Sequence, residues 1–427
     1  MDSKSLHSKF LSCVSVAIDT RKIVPNVLFF ALKGSNFDGN TFALEALKLG
    51  ASYVVIDNAD YYVDQRTIVV SDTLIALQEL ATYHRNYLSI PIIALTGSNG
   101  KTTTKELFQA ILSKKFNSKA TVGNLNNHIG VPLTLLSFTE ETEIGIVEMG
   151  ANHQKEIEFL CSLAQPDYGY ITNFGKAHLE GFGGVEGVIA GKSEMYTYLK
   201  ATNRKVFVNL DDAIQSSKTI NFDRITFSQK NSDAFLYVKI ISANPFVTLA
   251  FDAVNVQSNL IGLYNATNIM AALTVGKYFG VSATDCKSAI ESYFPDNNRS
   301  QLLSKNTNEI ILDAYNANPS SMEAALTNFI QLEASNKILI IGDMFELGAE
   351  SLVEHKKIVH LLEQTTAIDC YLIGKDFFAS KIENPHLYFF EGFDDFSTFI
   401  KQKSVRKAMI LIKGSRGMAL ERTLNFL

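Results

Sequence analysis

An apolar run, Ile92-Ile93-Ala94-Leu95, leads into Gly97-Ser98-Asn99-Gly100-Lys101-Thr102-Thr103-Thr104, and a helical pattern (Glu106, Leu107, Ala110, Ile111) follows. No other stretch of this chain restricts its fold as much. A strand, a glycine-rich turn and a helix in that order form a phosphate loop at the carboxyl edge of a parallel sheet. The glycines let the backbone curl until its N–H groups face phosphate oxygens, and the helix N-terminus adds its positive field. Lys101 is spaced to reach the β- and γ-phosphates, and the Thr102 hydroxyl to ligate Mg²⁺. The general G-x-x-x-x-G-K-[ST] pattern asks for glycine at position 95, where this chain has Leu95. Its glycine stands at 97. The strand–loop–helix context still predicts a nucleotide site built from Gly97, Ser98, Asn99, Gly100, Lys101, Thr102 and Thr103.

The chain has 427 residues, and at roughly 100–200 residues per domain three domains are the central expectation. Short β-rich runs alternate with helical patterns almost throughout, which predicts an α/β fold with largely parallel sheets. In the first unit strands are expected near Val27–Leu32, Tyr53–Ile56 and Thr67–Val70, with helices near Thr41–Leu49 and Leu74–Leu88. Pro91 marks a boundary. The middle unit adds strands at Ile144–Glu148, Tyr168–Thr172 and Val206–Asn209. An antiparallel-looking patch follows (Leu236–Ile241, Val247–Phe251), then two helices between Asn265 and Tyr293. The turn-rich Pro295-Asp296-Asn297-Asn298-Arg299 reads as a linker. Beyond it, strands at Ile310–Asp313, Lys337–Ile341, Cys370–Ile373 and Lys407–Ile412 predict a Rossmann-like sheet. The expected division is a small α/β N-terminal domain (1–88), a central P-loop ATPase-type parallel-sheet domain (89–301) and a Rossmann-like C-terminal domain (302–427).

Composition removes several function classes. The formal charge is −5 and no window carries a dense Lys/Arg stripe, so neither nucleic acid nor a membrane surface is an expected partner. The longest apolar runs fall far short of the roughly 20 residues that span a bilayer. The run Val14–Ile18 is followed by Asp19 and Arg21 without a small-residue cleavage site, so no signal peptide is read. Cys13, Cys161, Cys286 and Cys370 lie far apart, as expected for unpaired thiols in a reducing cytoplasm.

Metal ligands are expected where strands end. Glu148 closes the strand Ile144–Val147, and His178 lies just past another strand end, in Thr172-Asn173-Phe174-Gly175-Lys176-Ala177-His178. Lys192 and Glu194 follow on a helical pattern after the turn Gly181–Gly187. Each has an ordinary reading, a solvated charge for Glu148 or a surface lysine paired with Glu194 or Glu186 for Lys192. Their arrival on successive elements behind a phosphate loop favours function.

With these motifs in place the chain resembles the ATP-dependent muramyl ligase family along essentially its whole length. The G-x-x-G-K-T-T-T loop is similar to that family's form of the phosphate loop. Asp19-Thr20-Arg21-Lys22-Ile23, Leu28 to Gly34 and Phe37-Asp38-Gly39 resemble its UDP-sugar segment. Thr121 to Asn127, Ile129 to Pro132 and Glu148 to His153 resemble its central motifs. Asp313-Ala314-Tyr315-Asn316-Ala317-Asn318-Pro319, Gly342 to Gly348 and Lys413 to Gly417 resemble its C-terminal ones. The Asp313–Pro319 motif points to the branch that adds D-alanyl-D-alanine.

The resemblance implies a cytoplasmic, monomeric acid–D-amino-acid ligase of peptidoglycan precursor synthesis. ATP would phosphorylate the terminal carboxylate of UDP-N-acetylmuramoyl-tripeptide. The D-Ala-D-Ala amine would then attack the acyl phosphate, and phosphate would leave a tetrahedral intermediate. Lys101, Glu148, His178, Lys192 and Arg299 are the implied catalytic set. Thr102 and Glu148 would hold a first Mg²⁺, and His178 with a carbamylated Lys192 a second. Asn265 and Asn268 would contact adenine, Asp313 the ribose and Arg299 the γ-phosphate. Substrate contacts are implied at Thr20, Arg21, Lys33, Asp38, Asn124, Asn126, Asn127, Asn316, Asp343, Lys413 and Arg416. Tyr264 stands where the family often has histidine. Rival readings are a relative adding a single amino acid, a folate ligase, which lacks a comparable N-terminal unit, or a non-catalytic nucleotide binder, which needs no second metal site.

Overall fold

The computed structural model describes residues 2–365 and 367–427. Its first sheet is four-stranded and parallel, ordered Ser15–Ala17, Val27–Phe30, Tyr53–Ile56, Thr67–Val69. Val27–Phe30 is buried along its length, as a parallel strand covered on both faces must be. It stops two residues before the expected Leu32, because the chain enters a small hairpin, Lys33–Gly34 against Phe37–Asp38. The expected helix at 41–49 begins as a 3₁₀ turn, Gly39–Phe42, capped by Asp38, and becomes α-helical only over Ala43–Lys48.

Asp72 caps the helix Thr73–Leu88 by accepting from the Ile75 N–H. Leu77, Leu80 and Ala81 on this helix are buried in a core shared with the helices Gly130–Leu136 and Glu156–Ala164. Arg85 fastens the same contact, donating to the Ala164 carbonyl at 3.0 Å and pairing with Asp167 at 2.8 Å.

Two histidines stitch the N-terminal helix Ser3–Leu11 to this core. His84 Nε2 lies 2.9 Å from the Phe138 carbonyl, so it carries the proton, and its bare Nδ1 accepts from His7 Nε2 at 3.0 Å. Burial pushes both imidazoles below the ordinary histidine value; His84 lowers His7 further, while the Phe138 carbonyl opposes the shift of His84. A folded-state pKa below the unfolded one, about 6.5, gives stability that is present above that value and lost as the pH falls through the folded one. The melting temperature is therefore expected to fall between pH 7.5 and pH 5, and by less in His7→Gln. Melting curves at both pH values check this; an unchanged difference in the variant refutes it.

The central sheet has seven parallel strands, ordered Leu236–Tyr237, Arg224–Ser228, Lys205–Asn209, Tyr168–Ile171, Ile92–Thr96, Ile144–Glu148, Ser118–Ala120. From Ile92–Thr96 the chain goes to the edge strand Ser118–Ala120 on one side, returns to Ile144–Glu148, then crosses to Tyr168–Ile171 on the other side. That reversal opens a crevice at the carboxyl ends of the strands, where doubly wound sheets place ligands. The phosphate loop leaves the sheet there.

The expected antiparallel strand Leu236–Ile241 is in fact two. Leu236–Tyr237 completes the parallel sheet, while Lys239–Ala243 starts a three-stranded antiparallel sheet with Phe246–Phe251 and Val254–Ile261. The last of these strands escaped the sequence reading because its inward position 258 is serine. Ser258 is buried and donates its hydroxyl to the Val247 carbonyl, which lets a polar residue hold a core position. The helices Tyr264–Tyr278 and Ala283–Glu291 follow.

The last sheet runs Gln301–Lys305, Asn308–Asp313, Met409–Lys413, Lys337–Gly342, Ile368–Ile373, Leu387–Phe390, parallel except for its first strand. Among the described residues no helix is long and apolar enough to cross a membrane, and the four cysteines are unpaired.

Candidate active site

The loop 97–100 joins the buried strand Ile92–Thr96 to the helix Lys101–Leu112. Gly97 and Gly100 have φ of +141° and +80°, a region open to glycine and strained for other residues. A side chain at Gly97 would also collide with Thr172 Oγ1, and one at Gly100 with Asn268. The loop is clamped to the next strand end: Asn99 N–H donates to Asn173 Oδ1, and the Asn99 carbonyl accepts from Thr172 Oγ1 and Asn173 Nδ2. Thr172 and Asn173 were not singled out from the sequence. Their position one step past a strand, facing a phosphate loop, was the available signal.

Lys101 donates to the Gly97 and Ser98 carbonyls at 2.7 and 3.2 Å. Burial pushes its ammonium down to about 8, against the opposing pull of Glu148 and with a further push from Arg299. It stays charged near neutrality, held by dipoles instead of an acid.

Glu148 is 1% exposed. Its Oε1 accepts from Asn126 Nδ2 at 2.8 Å and from Thr102 Oγ1 at 3.3 Å. Its Oε2 is buried and has no hydrogen-bond partner among the described residues. The nearest cation is Lys105 Nζ, 4.0 Å away. A buried carboxylate oxygen without a partner is costly unless something else satisfies it. Carboxylate and hydroxyl oxygens side by side are the hard donors that Mg²⁺ selects.

A polar chain links the loop helix to the later helix: Thr104 Oγ1 donates to Asn268 Oδ1, Asn268 Nδ2 to Asn265 Oδ1, and Asn265 Nδ2 to the Ile261 carbonyl. Tyr264 begins that helix, with its hydroxyl 2.8 Å from Ser300 Oγ. The linker is tied to the same loop helix. Glu106 accepts from Tyr293 Oη at 2.6 Å and from Asn297 Nδ2 at 2.9 and 3.1 Å. Arg299 then lies flat on Tyr315, its guanidinium carbon 3.5 Å from the ring centroid, with Nε buried and unpartnered among the described residues. Asp313 accepts from Ser300 N–H and pairs with Lys413 at 2.6 Å.

Lys101, Thr102, Glu148, Asn268, Arg299 and Asp313 line one cavity of about 1330 Å³, which also receives Asn124, Asn127, His178 and Asn316. The last unit reaches directly into it: Asn318 Nδ2 donates to Asn99 Oδ1 at 2.7 Å, and His178 Nδ1 lies 2.5 Å from Glu346 Oε2. Burial and the nearby Lys101 lower the His178 pKa, with Glu346 opposing.

Several expected site residues lie elsewhere. Thr20, Arg21, Lys33 and Asp38 do not line the cavity. Arg21 pairs with Asp19, Lys33 with Asp57, and Asp38 caps its own turn. Asp343 is turned inward, accepting from the Asp376 and Phe377 N–H groups at the start of a helix. Its neighbour Glu346 instead faces the cavity residue His178. Arg416 is exposed beside Glu421. Lys192 sits behind the cavity wall, 1% exposed, donating to the Ala151 carbonyl at 3.0 Å over the Phe182 ring. Glu194, its expected surface partner, accepts from the Lys155 and Glu158 N–H groups instead. Among the described residues no acid pairs with Lys192, and burial with the nearby Lys101 holds its pKa well below the lysine range.

Family descriptions match nearly the whole chain: the Mur ligase family catalytic domain over residues 13–85, the Mur ligase middle domain over 95–276, and the Mur ligase glutamate ligase domain over 298–416. The UDP-N-acetylmuramoyl-tripeptide–D-alanyl-D-alanine ligase of Bacillus subtilis (strain 168) is 33% identical, over 95% of this chain and 91% of that protein. A crystal structure of MurF from Acinetobacter baumannii superposes with a TM-score of 0.86 at 28% identity, covering 99% of this chain and 97% of that one. MurF ligase from Thermotoga maritima, solved in complex with ADP, gives a TM-score of 0.83 at 25% identity over 98% and 97% of the two chains. These matches along the chain settle the family: this chain belongs to the Mur ligases.

Proposed function

We propose that the chain is an ATP-dependent ligase that joins D-alanyl-D-alanine to UDP-N-acetylmuramoyl-tripeptide in cytoplasmic peptidoglycan precursor synthesis. It acts as a monomer, with a UDP-sugar-binding unit (1–88), an ATP-binding unit (89–301) and a ligase unit (302–427). The observation that carries this reading is the meeting of Lys101, Arg299, Glu148 and the Asp313–Lys413 pair in one cavity. A carboxylate and a triphosphate repel each other, so their reaction needs cations fixed in advance around the point of contact. Lys101 and Arg299 are such cations, neither one paired with an acid among the described residues. Thr102 and Glu148 would hold Mg²⁺, which supplies charge neutralisation on the phosphates. Asn265 and Asn268 form the wall offered to adenine, and Asp313 a ribose acceptor.

The second metal set fits only in modified form. As a free amine Lys192 offers nitrogen, which Mg²⁺ does not favour; as a carbamate it offers two oxygens. Burial and the nearby Lys101 lower its pKa, which favours the neutral amine that reacts with CO₂.

Phosphate release from ATP is expected to require UDP-tripeptide and to be strongly stimulated by D-Ala-D-Ala, with one amide formed per phosphate. Product mass analysis alongside a phosphate assay checks this. Release that ignores the dipeptide, or a product carrying a single amino acid, refutes it.

A further inference from the structure

The last unit sends one carboxylate to a residue of the nucleotide cavity, and the loop that carries it is held from several sides. Met344 N–H donates to His355 Nε2 at 3.0 Å, and Phe345 N–H to Ser415 Oγ at 2.8 Å. The Asp343 carboxylate is pinned by two backbone N–H groups. Glu346 then leaves this anchored base with φ of +62°, and the residue it meets, His178, has φ of +53°. Neither is glycine, and left-handed backbone is uncommon in other residue types. The backbones also meet: Glu180 N–H donates to the Glu346 carbonyl at 3.3 Å, and Gly348 comes so close that an added Cβ would lie 3.2 Å from Glu180 Cβ. The Glu346 side chain is half exposed, so its place is not explained by packing.

An ionised carboxylate can only accept, so the 2.5 Å contact requires the proton on His178 Nδ1. In the neutral ring this leaves Nε2 as the free acceptor, on a residue that lines the cavity. We propose that Glu346 is a positioning residue of the ligase reaction, fixing the tautomer and orientation of His178 from across the unit boundary. The inference rests on the reading of this cavity as the nucleotide site. Nε2 then serves a cation or the water that a cation holds, while Nδ1 is committed to Glu346. A carboxylate behind a functional imidazole typically contributes roughly 10- to 100-fold to affinity or activity. Because Glu346 belongs to the last unit, His178 is correctly set only while that unit is docked.

The test uses the full chain. Side-chain ¹⁵N spectra of labelled histidine, assigned to His178 by a His178→Gln control, are expected to show the Nδ1–H tautomer in wild type and its loss in Glu346→Ala. The same variant should lose roughly 10- to 100-fold in kcat, with unchanged KM for UDP-tripeptide and an unchanged melting temperature. Glu346→Gln, which keeps an acceptor at similar reach, should restore the tautomer and most of kcat. Full kcat in Glu346→Ala, an Nε2–H tautomer in wild type, or a glutamine variant as poor as alanine overturns the proposal. If wild type itself turns over no ATP with these substrates, the ligase reading fails; if it does and Glu346→Ala matches it, only the role of Glu346 fails.

Discussion

Lys101→Ala is expected to lower kcat/KM for ATP by roughly 10²-fold or more while the protein melts as wild type does. Losing a single preorganised charge-stabilising group typically costs that much in an acyl- or phosphoryl-transfer site. The structure explains why the fold should survive. Among the described residues the Lys101 side chain bonds only to two carbonyls of its own loop, whereas the loop's shape is held by Thr172, Asn173 and the two glycines. Steady-state kinetics with a parallel melting curve checks this. Near-wild-type turnover in the folded variant would remove Lys101 from phosphate transfer.

Lys192→Arg is expected to be as inactive as Lys192→Ala, by a similar roughly 10²-fold or greater factor. In carbamate formation the neutral amine nitrogen bonds the carbon of CO₂ and loses one proton, which converts a neutral group into an anion. Arginine keeps the positive charge and cannot take that step, because its guanidinium stays protonated. The site favours the amine chemistry: Lys192 is buried, unpaired with acid among the described residues, and depressed in pKa. In Lys192→Ala a small carboxylate in the buffer should restore part of the rate. A ¹³C signal from labelled CO₂ on the wild-type protein, absent from Lys192→Ala, gives direct evidence. An active arginine variant would make Lys192 a simple cation.

The nucleotide half of the site was legible because its chemistry is local in sequence. Gly97 to Gly100 form one turn that runs into the helix at Lys101, Glu148 ends its strand and His178 lies a few residues past another, so topology brings them to one sheet edge. What could not be read were pairings between side chains far apart in the chain. Asp343 and Glu346 lie three residues apart in one motif, and only Asp343 was expected to contact substrate. One bonds the backbone of its own unit and the other crosses to His178. No periodicity distinguishes them; the left-handed turn at Glu346 does. Likewise Glu106 entered the sequence reading only as part of a helical pattern, and its partners Tyr293 and Asn297 arrive from nearly two hundred residues away.

That Glu106 clamp has a mechanical consequence. Because Tyr293 and Asn297 are tied to the loop helix, the linker's freedom begins after them, and both Asn298 and Ser300 carry positive φ. The pivot of any swing by the last unit therefore falls on the residues flanking Arg299. Points beside a pivot barely travel, while points far out on the lever sweep long arcs. Arg299 would keep its station by the loop through such a swing, and the Glu346 end would be carried away from His178. One rotation would thus leave nucleotide capture in place and withdraw the group that sets the histidine, so capture and reaction are separated by leverage alone.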